Sequence, residues 1–552
     1  MSEANDNQPF IDTLPDELLG TVFLLNTDPD DDSHNPYNTT VSSMLVCRRW
    51  YNVAITYPAL WSHIINYGWR DTDRIQELLR RSKQSVIDVG ADSMTKHVRL
   101  RDSRGKMVLN HIFDHAARIR TLNLQITYAP WDLICKRFLR HPAPNIEYLK
   151  LDTSCPFPDC LLPEPLFADQ APKLRKVHLQ RCLIDFSSAA LRNLTALVVM
   201  DILPPPIVMM HRVPSHPLKV APTVLGWLRI LENIPSLQYL TLSNAITPQR
   251  SYDEPLPKVD LPNLIFLTLG AKFPEGVTFL QQLTLPTCGI RLRLSHDRSN
   301  PGTESARLLQ FLSNHLSGWP QSTQNRYLQA KIMSGDRVHF GNSRRVGHIW
   351  DMTEAEVAEE HTLNTSDPLL WLVLSFDNAN DSMQVFDSIL TLYEPTYAST
   401  TALDLWMDEE YTDTATIHAH GFLQFPSIRT LRAFSAVKVL DLLERSPFVL
   451  LPLVQNLSLA AETPLFPALR SLRLTRTNLE DDYDGRAIVS AFMNWRRSIG
   501  AGLAELDIAG GKLSPRTINL LANEGHLKVT RTALGARRME DSESDESESS
   551  DG

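Results

Sequence analysis

Glycine is scarce in this chain, 22 residues in 552, and it does not cluster. Neither G-x-x-x-x-G-K-S/T, G-x-G-x-x-G nor G-x-S-x-G occurs, so phosphate-cradling and nucleophile-elbow chemistry have no motif to stand on. Cysteine is scarcer: six residues (Cys47, Cys135, Cys155, Cys160, Cys182 and Cys288), too few and too scattered for a secreted disulfide scaffold. No apolar run reaches the roughly 18 to 20 residues of a spanning helix. The most continuous, Leu369 to Phe376, has the length of a buried strand. Net positive charge is also missing. The chain carries −10, and seven of its acidic side chains lie between Glu540 and Asp551, so the rest is near neutral. That balance lacks the footprint of a nucleic-acid binder and gives no reason to expect an anionic membrane as partner. The first ten residues are polar and acidic and do not read as a signal peptide. The expectation is a soluble protein of the cytoplasm, the nucleus or both, with reduced cysteines.

What is present is length, 36 prolines and 43% hydrophobic residues. A chain of this size holds several cores or one extended array. The first element should start at Leu14. Pro15 suits a first helical position, and Asp16 and Glu17 complement the helix dipole. Leu14, Leu18, Val22 and Leu25 recur at helical spacing beside Leu19 and Phe23. A polar loop with four aspartates is expected from Asn26 to Thr40, then a helix from about Val41 to Ala54. Cys47, within that stripe, reads as a small buried apolar residue.

From about Arg118 a different pattern takes over, apolar-x-x-Leu-x-Leu. It occurs at Ile119–Leu124, Ile146–Leu151, Leu174–Leu179, Leu237–Leu242, Leu264–Leu269, Leu469–Leu474 and Leu503–Ile508, often just after a proline (Pro144, Pro172, Pro235, Pro262, Pro467). The central apolar residues recur at 25 to 28 positions, through Leu122, Leu149 and Val177, through Leu240, Leu267 and Leu292, and through Leu403, Leu431 and Leu457. This is the period of leucine-rich repeats, roughly 20 to 29 residues, each a strand, a turn and a helix. Residues 381–392 read as one such helix. A single unit cannot bury its apolar face, so neighbours must stack. Inserts are expected near 203–222 and 295–367.

At Leu14 to Trp61 the chain resembles the F-box family. The motif's first half is Leu14, Pro15, Glu17, Leu18, Leu19, Val22 and Phe23. Its second half is Leu45, Val46, Cys47, Arg48, Trp50 and Val53, and its close is Pro58, Leu60 and Trp61. The long aspartate-rich loop between the halves departs from the pattern. The resemblance implies a small helical module that docks on the Skp adaptor of a cullin-type ubiquitin ligase, with the cullin scaffold as a further partner. Those motif residues other than Leu45 and Val53 are the candidate adaptor contacts. The body looks like the divergent leucine-rich-repeat region of F-box receptors, notably the large fungal set.

The expected fold class is α/β: a short helical F-box module, then a leucine-rich-repeat solenoid with a curved parallel sheet and outer helices. The expected divisions are a disordered 1–9, an F-box at 10–66, a linker and cap at 67–117, the solenoid at 118–535 and an acidic serine-rich disordered tail at 536–552. Residues between the strand leucines should line the concave face, which makes Lys150, Asp152, His178, Gln180, Asp404, Trp406, Asp408 and Arg473 candidate contacts for an unknown target protein. No catalytic residue, metal or cofactor is expected. His111 and His115 have no third ligand, and Cys155 and Cys160 have no second pair. The implied role is substrate recognition for the ligase; the alternative is a scaffold bound to the adaptor alone.

Overall fold

The computed structural model describes Ile11 and residues 14–26, 36–69, 71–90, 103–126, 131–153, 165–203 except 183 and 185, 221–249, 254–295, 301–317, 327–333, 337–343, 370–375, 400–407, 434–443, 450, 466–476, 483–509, 514–525 and 527–532, with Val385, Ser388, Ile389, Thr391 and Leu392. The expected disordered ends and the insert at 204–220 lie outside the described residues, as do Leu431, Leu457, Cys155 and Cys160. The chain forms two compact units, residues 1–264 with 282–284, and residues 265–281 with 285–552.

The first unit opens with four helices: α1 (Asp16–Leu25), α2 (Pro36–Met44), α3 (Arg48–Thr56) and α4 (Pro58–Ser62). Two helices, α2 and α3, stand where the sequence pattern gave one. α2 starts at Pro36, inside the expected loop, because proline is tolerated in a first helical turn. The break falls at residues 45–47. Cys47 is extended and its sulfur accepts the Trp50 N–H at 3.5 Å, which caps α3. Cys47 is exposed, not buried as its place in the stripe predicted.

The sheet begins at once, earlier than the repeat pattern. β1 (Ile65–Asn66) pairs in parallel with β2 (Ile87–Gly90), across α5 (Thr72–Arg81). After α6 (Ser103–Phe113), β3 (Ile119–Ile126) pairs with β2. α7 (Trp131–Ile134) runs into a wider turn, then β4 (Tyr148–Thr153), β5 (Lys176–Gln180) and β6 (Ala196–Met200) follow. α8 (Val224–Glu232) leads to β7 (Tyr239–Ser243). The order β1 to β7 is parallel throughout, with a register shift between Ile87 and Asp88 where β2 meets β3, and β3 to β7 are in register: Leu122, Leu149, Val177, Leu197 and Leu240 lie opposite one another, and all are buried. β8 (Val259–Asp260) lies beyond.

The second unit contains β9 (Phe266–Lys272) and α9 (Phe273–Gln281). The short β10 (Leu283–Thr284) returns to the first unit and pairs with β8. β11 (Gly289–Ser295) is parallel to β9, and α10 (Pro301–Ser317) follows. Part of the expected 295–367 insert is a hairpin: β12 (Tyr327–Met333) and β13 (Arg337–Ser343) are antiparallel, and β13 is antiparallel to β14 (Leu370–Ser375). β14 is parallel to β11 and β12 to β15 (Ala402–Met407), so the inserted strands lie within the sheet. β16 (Val439–Leu443) and β17 (Ser471–Thr475) continue in parallel. α11 (Tyr483–Ser498), β18 (Glu505–Ala509), α12 (Pro515–Gly525) and β19 (Lys528–Thr532) complete it. The expected register through Leu431 and Leu457 falls on residues outside those described, and the described strands step from Leu403 to Leu440 to Leu472. Leu440 stands opposite both Leu403 and Leu472, and β16 pairs directly with both neighbours. Where apolar residues are this dense, spacing alone fits several registers. Val385, Ser388, Ile389, Thr391 and Leu392 are helical, as the pattern predicted.

The prolines upstream of the strands have one job. Ala143, Ala171, Ile234, Leu261 and Phe466 each accept from the N–H three residues on, at 3.0 to 3.3 Å. Each following residue is a proline at the second position of the turn, where its fixed φ fits. Each turn ends on a buried Ile or Leu: Ile146, Leu174, Leu237, Leu264 or Leu469. Strand exits repeat too. Arg181, Asp201 and Arg476 adopt left-handed φ of 53 to 58°, and their N–H groups donate to the last residue of the next strand (Met200, Ser243 and Ala509).

Candidate functional site

The four N-terminal helices close a small core of Leu19, Phe23, Val53, Ala54 and Leu60, with Ile11, Met44, Trp50 and Tyr57 packed round it. Phe23 and Trp50 meet with ring centroids 5.0 Å apart. Gly20 allows α1 to approach Tyr57, since a Cβ there would lie 2.8 Å from the ring. Trp61 is buried, donates its indole N–H to the Ala54 carbonyl at 2.8 Å, and lies under the Arg81 guanidinium at 4.4 Å. Arg49 ties the start of α1 to α3. It donates to Asp16 at 2.8 and 3.0 Å and to the Leu14 carbonyl.

This core leaves several large apolar side chains of the module exposed. Among the described residues the exposed large apolar side chains are Leu45 (80%), Leu25 (72%), Val46 (60%), Leu18 (52%), Tyr51, Met107, Ile265 and Leu520. Five of these eight fall between residues 18 and 51. Covering each aliphatic one would gain about 1 to 2 kcal/mol. Scattered exposed leucines need no explanation, but such a concentration in one small helical module marks an interaction surface.

The predicted adaptor contacts therefore divide. Pro15, Glu17, Leu18, Val46, Cys47 and Arg48 are exposed; Leu14, Val22, Trp50 and Pro58 are half-buried. Leu19, Phe23 and Leu60 are buried in the module's own core and Trp61 is buried under Arg81 of α5, so none of the four offers exposed surface in the free chain. Leu45, Leu25 and Tyr51 are exposed apolar residues that the contact set omitted. The signal for Leu45 and Tyr51 was the helix break, which a continuous stripe concealed.

The module joins the sheet through a cluster of charges. Asp88 on β2 accepts from His63, one residue past α4, at 2.6 Å and from Arg120 on β3 at 2.6 and 3.0 Å. Burial opposes its ionisation, but the His63 and Arg120 contacts outweigh burial and hold the carboxyl at about 2. Beside it Tyr67 is buried, its phenol pushed up to about 12 by desolvation, and its hydroxyl accepts the Gln125 N–H at 2.7 Å.

Several of the predicted target contacts on the sheet are engaged with other side chains of the chain. His178 is buried, not exposed as expected, because Lys150 and Val198 flank it on neighbouring strands. Burial and Lys150 push its imidazole down to about 3. Lys150, Asp152, Gln180 and Arg473 are half-buried. Asp152 accepts from Gln125 at 3.1 Å and from Arg181, Gln180 donates to Asp201 at 3.2 Å, and Arg473 donates to Asp507 at 2.5 Å. Asp404 and Trp406 lie on β15 opposite Asp441 and Leu443; Asp408 is outside the described residues. His111 contacts Gln76 at 3.1 Å, and no metal-binding cluster occurs among the described residues. Among them, too, no helix is long and apolar enough to cross a membrane.

Comparison with curated proteins gives no match for the chain. The F-box-like family profile matches residues 11–66, which spans α1 to β1 and contains the exposed Leu18, Leu25, Leu45, Val46 and Tyr51. F-box domains generally bind Skp-type adaptors. Residues 11–66 are thus an F-box-like domain.

Proposed function

We propose that this chain is the substrate-recognition subunit of an SCF-type ubiquitin ligase. The F-box-like segment docks on the Skp adaptor and through it on the cullin, and the sheet-bearing body holds a target protein. The observation that carries this reading is the set of large apolar side chains, Leu18, Leu25, Leu45, Val46 and Tyr51, left exposed inside the segment that matches the F-box profile. The body reads as divergent leucine-rich repeats. Its support is the recurring unit of proline turn, parallel strand with buried leucines and left-handed exit. The chain supplies no catalytic group. Its contribution is effective concentration, holding target lysines near a charged conjugating enzyme in the cytoplasm, the nucleus or both.

The test is capture of purified Skp adaptor and cullin by the full chain. Leu18→Asp with Leu45→Asp should lower adaptor affinity at least about a hundredfold without changing Tm, since both side chains are exposed. Undiminished capture would put the docking surface elsewhere. Adaptor capture without cullin would favour a scaffold that acts outside a ligase.

A further inference from the structure

The F-box match ends at residue 66, yet the chain there is already fastened to the sheet. Inside the first unit Tyr37 on α2 meets Trp69 at 5.0 Å, Trp61 lies under Arg81, and three more contacts involve residues 63–67. β1 pairs with β2, but it is only two residues long, Ile65 opposite Val89 and Asn66 opposite Gly90. Tyr67 reaches across to the backbone of Gln125 on β3. Asp88 takes His63 from the helical side and Arg120 from the sheet side on one carboxylate. A two-residue ladder cannot by itself fix the direction of a four-helix body. A carboxylate that accepts charge-assisted hydrogen bonds from both sides can. An asparagine of the same size cannot replace it. It has one acceptor oxygen, and its NH₂ would face the Arg120 donors.

We propose that Asp88, outside the matched segment, is a positioning residue for adaptor docking, fixing the direction in which the exposed face of α1 and α3 points relative to the sheet of the first unit. Its purpose rests on the docking reading above, whereas the orientation itself is a property of the free chain. With Asp88 neutralised, residues 63–66 become a hinge and a target on the sheet is no longer held at a set angle from the adaptor.

The experiment uses the full chain with spin labels carried on non-natural residues at Thr21 and Asn193, both exposed. In Asp88→Asn the inter-label distance distribution should broaden, and amide exchange at 63–66 should rise about tenfold. The rise at 63–66 should exceed any rise within α1 and β3, which a uniform loss of stability would not produce. An unchanged distribution overturns the proposal. Should Asp88→Asn lose protection in β3, His63→Gln removes one partner and leaves the Arg120 pair. It should still broaden the distribution, and an unchanged width there overturns the proposal equally. Both measurements need no adaptor. A wild-type chain that captures none would defeat the docking reading while leaving the orientation result intact.

Discussion

Gly20 and Asp88 show how single residues hold the helical module together and to the sheet. At Gly20 the space is already taken by the Tyr57 ring. Gly20→Val should cost about 1 to 3 kcal/mol through overpacking, seen as a lower Tm for the first unit, and an unchanged Tm would mean that Tyr57 swings aside freely. Asp88 makes stability depend on acid. Its carboxyl lies at about 2 in the folded chain against 3.8 for the free group, so folding is favoured where the group is ionised. That contribution, about 2 kcal/mol, is complete above about pH 4 and disappears as the pH falls through 2. Urea unfolding of wild type and Asp88→Asn should therefore differ at pH 6 and converge near pH 2.

At the scale of elements, the strands were readable because two signals coincided: buried leucines two apart, and a proline at the second position of the turn before them. All seven apolar-x-x-Leu-x-Leu stretches carry strands. The α2–α3 break was not readable, since residues 41–54 keep helical spacing straight through it and only the Cys47 cap reveals it. Nor was the antiparallel β13, whose direction is set by the strands on either side rather than by its own residues. α11 carries another feature outside any pattern. Arg496 is fully buried, pushed down to about 10 by desolvation, and donates to the carbonyls of Ala501, Phe466 and Leu469 at 2.9 to 3.3 Å. It pins the helix to the turn that opens β17. Arg496→Met should destabilise the second unit by about 3 kcal/mol, since the carbonyls lose a charged donor; a midpoint of denaturant unfolding that does not move would contradict this.

On the scale of the molecule, the F-box-like segment does not end where its profile ends. Its core is small, and Trp61, His63 and the chain at 65–67 lean on Arg81, Asp88 and Gln125. A helical piece of this size buries too little to stand by itself. Residues 1–66 alone should show no cooperative thermal transition by circular dichroism, and a sharp one would show that the sheet contributes nothing to the module.

Which stretches become strands was legible along the chain, because turn chemistry and the spacing of leucines are local properties that each stretch carries with it. Three motif pieces in order also located the F-box-like segment. Which motif residues remain outside depended on packing between distant parts of the chain. Leu19 and Leu18 are neighbours of the same kind, yet one faces Phe23 and Val53 while the other faces outward. The same holds for the sheet face, where His178 is buried by strands that lie far away along the chain. Exposure depends on what packs opposite a residue, and that is set by the fold.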